Sequence, residues 1–335
     1  MQLASALLNW VPYRLATSDG SPHCRWLYTG TQSYTAPFFD DTISACMGLP
    51  ENSTGFKSIS SIDVLPLWAD ESLAVPPSAF IFHVSRCGST LIAQLLGLSA
   101  QHIVLAETPF IDQLLRFSYT HGDNSSLVLP QALRAAIQLY GRKRRGDESH
   151  LFIKSDSWHL CFYERLRLLY PAVPFMLLYR SPDEVLRSQR RRRGMQAVQG
   201  VIEPEIFGFD RSVVNDWPLD DYMCKVLERY FTIMLEIADR DLHVLLVNYN
   251  EPILSIMQRI AGVTGITIDD PMLQLMQERS RYHAKYPDQV FQEPVDEDEL
   301  PAALEPVMAL YHLLDAKRAA ISYRIPVAGY QPPEL

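Results

Sequence analysis

The stretch FHVSRCGSTLIAQLL, residues 82–96, places a short polar loop between two apolar runs. The first run has the pattern of a buried strand, and the second has that of a helix. Gly88 permits the backbone angles of a tight turn, and the first turn of a helix offers unpaired N–H groups. Arg86, Ser89 and Thr90 add side-chain donors to those amides. The stretch therefore predicts a loop that holds a phosphate group.

The pattern that continues beyond this loop predicts the fold class. Short apolar runs recur, and each is followed by polar residues and then by an amphipathic stretch. Strands that alternate with helices are typical of a parallel sheet covered on both faces. We predict an α/β, three-layer P-loop fold with a central, mostly parallel sheet flanked by helices. The predicted strands are 79–84, 103–105, 151–153, 174–179 and 243–247.

The N-terminal part of the chain has a different composition. Residues 1–77 show no clear helical period, and they end at the prolines of VPP, residues 75–77. Proline interrupts both helices and strand ladders, so this is a natural boundary. We predict a small N-terminal appendage over 1–77, of unknown role, made of short strands and loops. The P-loop domain then covers 78–335.

Charge and cysteine usage limit the class of function. The net charge is −9, yet residues 78–200 carry 16 Lys and Arg against 9 Asp and Glu. A basic zone inside an acidic protein favours a small anionic ligand over nucleic acid. No apolar run approaches the roughly 20 residues of a membrane span, and no signal peptide is recognised. Five scattered cysteines without metal-ligand spacing predict reduced thiols, a cytoplasmic protein and no metal site.

Polar residues follow the predicted strands at the points where the strands end. In parallel sheets ligands bind beyond these carboxyl ends, so residues scattered in sequence are expected to meet there. The loop lacks the lysine of the ATPase pattern GxxxxGK[ST], which counts against an ATP-using kinase. The residues expected at this edge are 85–90, Glu107, Lys154, Ser155, Asp156, Arg180, Asn248 and Tyr249.

Two motifs resemble those of sulfotransferases that use PAPS (3′-phosphoadenylyl sulfate). HVSRCGSTLIAQLL is similar to the family's 5′-phosphosulfate loop, with Cys87 where serine is more usual. YRSPDEVLRSQ, residues 179–189, resembles the 3′-phosphate segment, in which an arginine after a strand is followed eight residues later by a serine. The resemblance covers about 79–290. It implies that PAPS is the co-substrate, bound by Arg86, Cys87, Gly88, Ser89, Thr90, Arg180 and Ser188.

Weaker matches suggest further roles. Tyr249 and Glu251 have the spacing of a family segment that orders the loop behind the nucleotide. The island ERSRYHAKYP, residues 278–287, resembles a late basic loop over the nucleotide, which makes Arg281 and Lys285 candidates. In the run Arg190–Arg193, one or two side chains are expected to reach the site, since four consecutive helical residues point in four directions.

The catalytic groups are predicted from the chemistry of sulfuryl transfer. A base takes the proton of the acceptor hydroxyl, and cations stabilise the leaving phosphate. FIKSDSWHL, residues 152–160, resembles the Lys-Thr-His segment of cytosolic sulfotransferases, but Asp156 stands where those enzymes have histidine. We favour Glu107 as the base, with Asp156 and then His159 as alternatives. Arg86 and Lys154 are the predicted cations at the leaving group, and no metal is required.

Three functions stay open from the sequence. The first is a PAPS-dependent sulfotransferase acting by in-line displacement on a hydroxyl or amine acceptor, which is a small molecule, glycan or peptide. The others are an ATP-dependent small-molecule kinase and a catalytically silent nucleotide-binding scaffold. The predicted walls of the acceptor site are residues 1–77 and 195–220, the second holding Phe207, Phe209 and Trp217. Residues 1–77 alternatively form a homodimer contact.

Overall fold

The structure is a computed structural model of the 335-residue chain. It describes residues 7–18, 21–55, 57–69, 74–121, 129–282, 284 and 299–322.

The central element is a five-stranded sheet in which all neighbouring strands are parallel. Its strand order is β5-β6-β4-β7-β8. Each of the five predicted strands is present, so the predicted α/β fold with a parallel sheet is confirmed. The strands are β4 (Pro77–His83), β5 (His102–Ala106), β6 (His150–Lys154), β7 (Phe175–Tyr179) and β8 (Val244–Asn248).

The strands are parallel and buried because they are almost entirely apolar. Every residue of β7 is buried, and so is β4 from Ala79 to His83. Such continuous apolar runs suit a sheet whose two faces are both covered, whereas alternation would suit a half-exposed one. One apolar core extends from Val11 in the N-terminal part to Leu314 near the end of the described chain.

Helices connect the strands and flank the sheet. The first helices are α1 (Phe39–Cys46), α2 (Val64–Trp68), α3 (Ser89–Leu96), α4 (Pro109–His121), α5 (Leu129–Tyr140) and α6 (Tyr163–Leu169). The later helices are α7 (Pro182–Arg191), α8 (Arg211–Val214), α9 (Leu219–Arg240), α10 (Ile253–Thr264), α11 (Asp270–Ser280) and α12 (Glu305–Ser322). Short 3₁₀ helices cover Ser157–Phe162, Met195–Ala197, Pro204–Phe207 and Ala302–Leu304.

The strand order places a crevice beside β4. The chain leaves β4 toward β5 on one side of the sheet, and after β6 it crosses to β7 and β8 on the other side. Strand order therefore reverses between β4 and β7. Open α/β sheets bind ligands outside the carboxyl ends of their strands at such a point. The polar loop that follows β4 lies at this crevice.

The N-terminal part forms a separate antiparallel sheet. Its strands are β1 (Trp10–Ser18), β2 (Ser21–Tyr28) and β3 (Ile59–Ser61), in that order. β1 packs against α4 and α5, and the side chain of Arg142 donates to the Leu7 carbonyl at 2.8 Å. The division of the chain at residue 77 stays a prediction, since this sheet shares the common apolar core.

Two further observations concern the cysteines and the helices. All five cysteines are free thiols. Among the described residues, no helix combines the length and the apolar character that a membrane crossing requires.

Candidate functional site

The loop after β4 is held in an unusual backbone conformation. Ser85, Arg86 and Gly88 have positive φ angles of 67°, 51° and 75°. For the two non-glycine residues this costs of order 1–3 kcal/mol each, and such strain concentrates at functional sites. The loop leads directly into α3, which begins with the buried hydroxyls of Ser89 and Thr90. Its first amides and these hydroxyls lie together at the end of the helix that favours negative charge.

Three neighbours keep the loop in this shape. The Ser85 amide donates to His83 Nδ1 at 3.0 Å, and Gln189 Nε2 donates to Ser85 Oγ at 3.2 Å. The buried thiol of Cys87 points at the Leu178 carbonyl at 3.5 Å. The loop is therefore fixed by strands β4 and β7 and by helix α7. Cys87 has a structural position, and burial raises its pKa to about 11, so the thiol stays protonated at neutral pH.

Gly88 gives space to an aromatic ring. A Cβ atom at this position would lie 2.0 Å from the ring of Tyr249, and the positive φ is a second reason for glycine. The guanidinium of Arg180 lies 5.1 Å from the centroid of the same ring. The ring of Tyr249 thus contacts both the loop and Arg180.

Three arginines converge at the loop. The half-buried guanidinium of Arg86 donates to the carbonyl of Arg192, just after α7. Burial lowers the pKa of Arg86, and the charges of Arg192 and Arg191 lower it further. Like charges brought together in a partly desolvated place raise the energy of the ligand-free protein. An anion bound between them would reverse that effect.

Arg180 lies at the tip of β7, where it was predicted, but it has a carboxylate partner. Its side chain is 7% exposed and donates to both oxygens of Glu184, at 3.1 and 3.2 Å. The Glu184 side chain is 33% exposed. Ser188 follows on the same helix and is half-buried. Glu184 therefore occupies donors of Arg180 that a phosphate would use.

Glu107 and Lys154 form an ion pair at the tips of β5 and β6. Lys154 Nζ donates to Glu107 Oε1, with the lysine side chain fully buried and the glutamate 21% exposed. His83 Nε2 lies 3.5 Å from the same carboxylate oxygen. Glu107 also has a positive φ of 54°, the third strained non-glycine residue found in the described chain. All three strained residues lie at carboxyl ends of strands.

The hydrogen bonds around this pair define its charges. His83 Nδ1 accepts from the Ser85 amide and its Nε2 donates to the Ser155 carbonyl at 2.9 Å, which is the arrangement of a neutral imidazole. Burial lowers the pKa of His83. Burial acts to raise the pKa of Glu107, but the Lys154 charge and the hydrogen bonds from His83 and Lys154 hold it below its usual range. Glu107 is thus an ionised carboxylate.

A second polar network adjoins this pair through Asp156. The Asp156 amide donates to His159 Nδ1 at 3.3 Å, and His159 Nε2 donates to Asp112 Oδ1 at 2.9 Å. Trp158 Nε1 donates to the same Asp112 oxygen at 2.6 Å, and Arg116 pairs with its other oxygen at 3.0 Å. Both nitrogens of His159 are engaged, so the ring is held as a structural link.

Asp156 is less suited than Glu107 to accept a proton. Burial raises its pKa well above the usual range, and the charges of Glu107 and Asp112 add to the effect. Burial therefore favours the protonated form of Asp156. Asp112, Asp156 and His159 bring their ligand atoms within 4.8 Å of one another, but donors from Trp158 and His159 already occupy the Asp112 oxygen.

Several predicted residues have carboxylate partners of their own or are exposed. Arg190 and Arg193 pair with Asp220, at 2.7 and 2.6 Å. Arg281 is exposed just beyond the end of α11, and Lys285 lies outside the described residues. Arg279, which the sequence analysis did not select, instead donates to Gln94 of α3.

The predicted aromatic wall is packed together. Phe207 is buried against Tyr230, and Phe209 lies 5.6 Å from Trp217 by ring centroid.

Glu251 accepts from the Asn248 amide at 2.9 Å and pairs with Arg259 and Arg318, which is the loop-ordering position expected for it.

Three residues at the site were missed by reasoning from the sequence. His83 ends an apolar strand, Gln189 stands inside an arginine-rich run, and Asp112 lies in an ordinary helical pattern. A polar residue at the last position of a buried strand is the one signal that would have indicated His83. Nothing local distinguishes Gln189 and Asp112, since their partners come from distant parts of the chain.

Comparison with known proteins finds similarity in structure alone. Neither a protein-family model nor a curated protein sequence matches the chain. Solved structures similar to it include sulfotransferase STF1 from Mycobacterium tuberculosis H37Rv, at 16% identity and a TM-score of 0.40, covering 64% of this chain and 75% of that one. The sulfotransferase domain from the curacin biosynthetic pathway has 14% identity and a TM-score of 0.47, covering 71% and 98%.

A third similar structure is sulfotransferase STF9 from Mycobacterium avium. It has 14% identity and a TM-score of 0.41, covering 78% of this chain and 79% of that one. The chain is thus similar in structure to bacterial sulfotransferases at low sequence identity.

Proposed function

We propose that this protein is a sulfotransferase that moves a sulfuryl group from PAPS to a hydroxyl or amine acceptor. The observation that carries the proposal is the pair of cationic positions on the two sides of the β4–β7 crevice. Arg86 lies in the strained loop before α3, and Arg180 lies at the tip of β7 beside the ring of Tyr249. A nucleotide with phosphates at both its 5′ and 3′ positions suits two separate anion sites.

The 5′-phosphosulfate would bind at the loop. The amides at the start of α3, the hydroxyls of Ser89 and Thr90 and the guanidinium of Arg86 supply donors there. The 3′-phosphate would take the place of the Glu184 carboxylate on Arg180, with Ser188 farther along α7. Two-pronged contacts between a guanidinium and a phosphate are strong and specific. The fixed cations would supply the charge stabilisation that the leaving phosphate requires.

The acceptor would be deprotonated by Glu107. Its oxygen attacks the sulfur in line with the bond to the 5′-phosphate, that S–O bond breaks, and the acceptor proton passes to the Glu107 carboxylate. In the ligand-free protein Lys154 holds the pKa of Glu107 down. Negative charge on the leaving phosphate would attract the Lys154 ammonium away from Glu107. The carboxylate would then become more basic when the donor is bound.

Two further assignments belong to the same proposal. The acceptor is a small molecule, a glycan or a peptide that reaches Glu107 from the side of the N-terminal sheet. We place the reaction in the cytoplasm, where the five free thiols would remain reduced.

The first experiment is a thermal-shift titration with PAP, the desulfated product of the donor, beside ATP and ADP. A ligand at 100 times its Kd adds about 2.7 kcal/mol, which moves Tm by a few degrees. A shift with PAP and not with ATP supports the proposal. Arg180→Ala should abolish most of the shift, whereas the exposed Arg240→Ala, in an ion pair with Glu164, serves as a matched control.

The other outcomes identify the alternatives. A shift with ATP alone would contradict the sulfotransferase assignment and favour a kinase. No shift with any of the three nucleotides would favour a silent scaffold. A PAP shift without turnover on any acceptor would point to a nucleotide-binding protein that has lost its chemistry.

A further inference from the structure

A cavity lies between part of the N-terminal sheet and the central domain. It lies between strands β1 and β2 and helix α4 and has a volume of about 770 Å³. Ligand pockets typically measure about 300–1,000 Å³, so this one has room for a small organic molecule. Its apolar surface comes from Leu15, Ile43 and Met47, and its polar surface includes Arg25 and Arg116.

Two arginines face each other across the hairpin at this cavity. Arg14 and Arg25 are directly paired in the register of β1 and β2, and both line the cavity. Like charges at directly opposite positions destabilise an antiparallel pair of strands. The Arg14 guanidinium donates to Asp40 at 3.1 Å, so one of the two charges is compensated.

The other charge, that of Arg25, is without a compensating group in the part of the chain that the structure describes. Among the described residues, Arg25 has no ion-pair partner, and its buried Nε has no hydrogen-bond acceptor. The carboxylate of Asp112 also lines the cavity, but it is committed to Trp158, His159 and Arg116. A buried guanidinium nitrogen without an acceptor carries an energetic cost. An anion in the cavity would remove that cost and the repulsion from Arg14.

The cavity is close to the reacting groups. Asp112 lies in the first turn of α4, a helix that begins two residues after Glu107. Asp112 is the fourth residue of that helix, which rises about 1.5 Å per residue, so it lies near Glu107 along the chain. The N-terminal part also reaches the ion pair directly, because the ring of Phe38 lies 5.4 Å from Lys154 Nζ. A molecule held in the cavity could therefore present a hydroxyl to Glu107.

We propose that this cavity binds the acceptor, and that the acceptor is an organic anion: an apolar, hydroxylated molecule with a carboxylate that pairs with Arg25. This rests on the proposed sulfotransferase function. The N-terminal sheet is then the acceptor-selecting part of the protein. Arg25 is its specificity-determining residue, and the apolar side chains of Leu15, Ile43 and Met47 hold the body of the molecule.

The test uses matched pairs of probes on the full-length protein. Hydroxyphenylacetate and ω-hydroxydodecanoate are each compared with their primary amides, which keep the hydroxyl and the shape but lose the charge. Binding is measured by ligand-observed NMR, and PAP binding is measured by thermal shift in the same samples. We expect at least one carboxylate to bind about 10-fold more tightly than its amide, the value of a charge-assisted hydrogen bond.

Three variants test whether the preference for the carboxylate arises from Arg25 and from binding in the cavity. Arg25→Gln should remove the preference for the carboxylate and leave the affinity for the amide within about twofold of the wild-type value. Arg25→Lys should retain part of the preference for the carboxylate. Ala16→Trp, which fills the cavity, should abolish binding of both probes and leave PAP binding intact. Arg240→Gln is the control for loss of a positive charge elsewhere.

The results separate this inference from the donor assignment. Equal binding of acid and amide in every pair, or a preference that survives Arg25→Gln, would overturn the inference. Binding that survives Ala16→Trp would overturn it as well, even if the Arg25 variants failed to fold. If the protein does not bind PAP but still prefers the carboxylate probes, the donor assignment is contradicted and the cavity remains an anion site.

Discussion

The two sides of β4 handle charge in opposite ways. On the side of β6 and β5, Lys154 is fully buried and its charge is matched by Glu107. On the side of β7, Arg86 lies near Arg191 and Arg192. Burial lowers the pKa of Arg86, and the charges of Arg192 and Arg191 lower it further. The carboxylate on this side, Glu184, is one-third exposed. The first side pairs its buried cation with a carboxylate, whereas the second brings three arginines close together.

This difference indicates a division of work within one crevice. A buried ion pair holds its side chains in place before a ligand arrives, as a catalytic group requires. A cluster of arginines beside an exposed carboxylate is stabilised when a phosphate replaces that carboxylate. In the proposed function the β7 side binds the donor, and the β5–β6 side transfers the proton. Four experiments test this division.

The largest effect is expected at Glu107. Glu107→Gln removes the proton acceptor and keeps the shape, so turnover should fall about 10²-fold or more while PAP affinity changes little. Steady-state rates with saturating donor, together with a PAP titration, measure both effects. Glu164→Gln, at an exposed ion pair, is the control. Activity near that of the wild type would assign the base to another residue.

The two arginines should differ in which phosphate they bind. Arg180→Ala is expected to weaken PAP about 10–100-fold and to leave 5′-AMP unchanged, since only PAP carries the 3′-phosphate. Arg86→Ala should weaken both nucleotides by similar factors. Calorimetric titration of each variant with each nucleotide checks this. If Arg180→Ala weakened both nucleotides equally, the assignment of separate phosphate sites would be wrong.

Glu184 should oppose donor binding. Glu184→Gln removes the carboxylate that occupies Arg180, so PAP affinity should rise by roughly 3–10-fold. The same titration measures it, with Glu164→Gln again as the control for loss of an exposed carboxylate. A decrease in affinity would mean that Glu184 orients Arg180 for the phosphate instead of competing with it.

The smallest effect concerns stability and pH. The folded protein holds the proton of Asp156 more tightly than the unfolded chain, so this group costs stability as the pH rises above the ordinary value of about 3.9. Asp156→Asn should therefore raise Tm at pH 8 by about 1–2 °C, with less effect near pH 4.

For Glu107, the change of stability with pH should have the opposite sign. Its pKa is lowered in the folded protein, so it stabilises the fold above the ordinary carboxyl pKa of about 4.3, and that contribution is lost as the pH falls through the folded value. Glu107→Gln should accordingly lower Tm at pH 8. Melting curves of both variants from pH 4 to pH 8 compare the two. A fall in Tm for Asp156→Asn at pH 8 would show that Asp156 is ionised and paired.

Local sequence patterns determined the sheet and the loop of this protein. Apolar runs of strand length, separated by amphipathic stretches, were sufficient to predict all five parallel strands. The same runs located Arg86, Glu107, Lys154 and Arg180, because a residue just after a strand must lie at the carboxyl edge of the sheet. These features depend on neighbours along the chain, so one sequence is enough to indicate them.

Only the tertiary structure decided which side chains became partners. The contacts of Glu107 with Lys154, of Gln189 with Ser85 and of Asp112 with His159 join residues from 47 to 104 positions apart. The cavity beside Arg25 exists because the hairpin packs on α4. Such contacts depend on crossover order and side-chain packing, which no local pattern encodes, and they determine the charge of each group at the site.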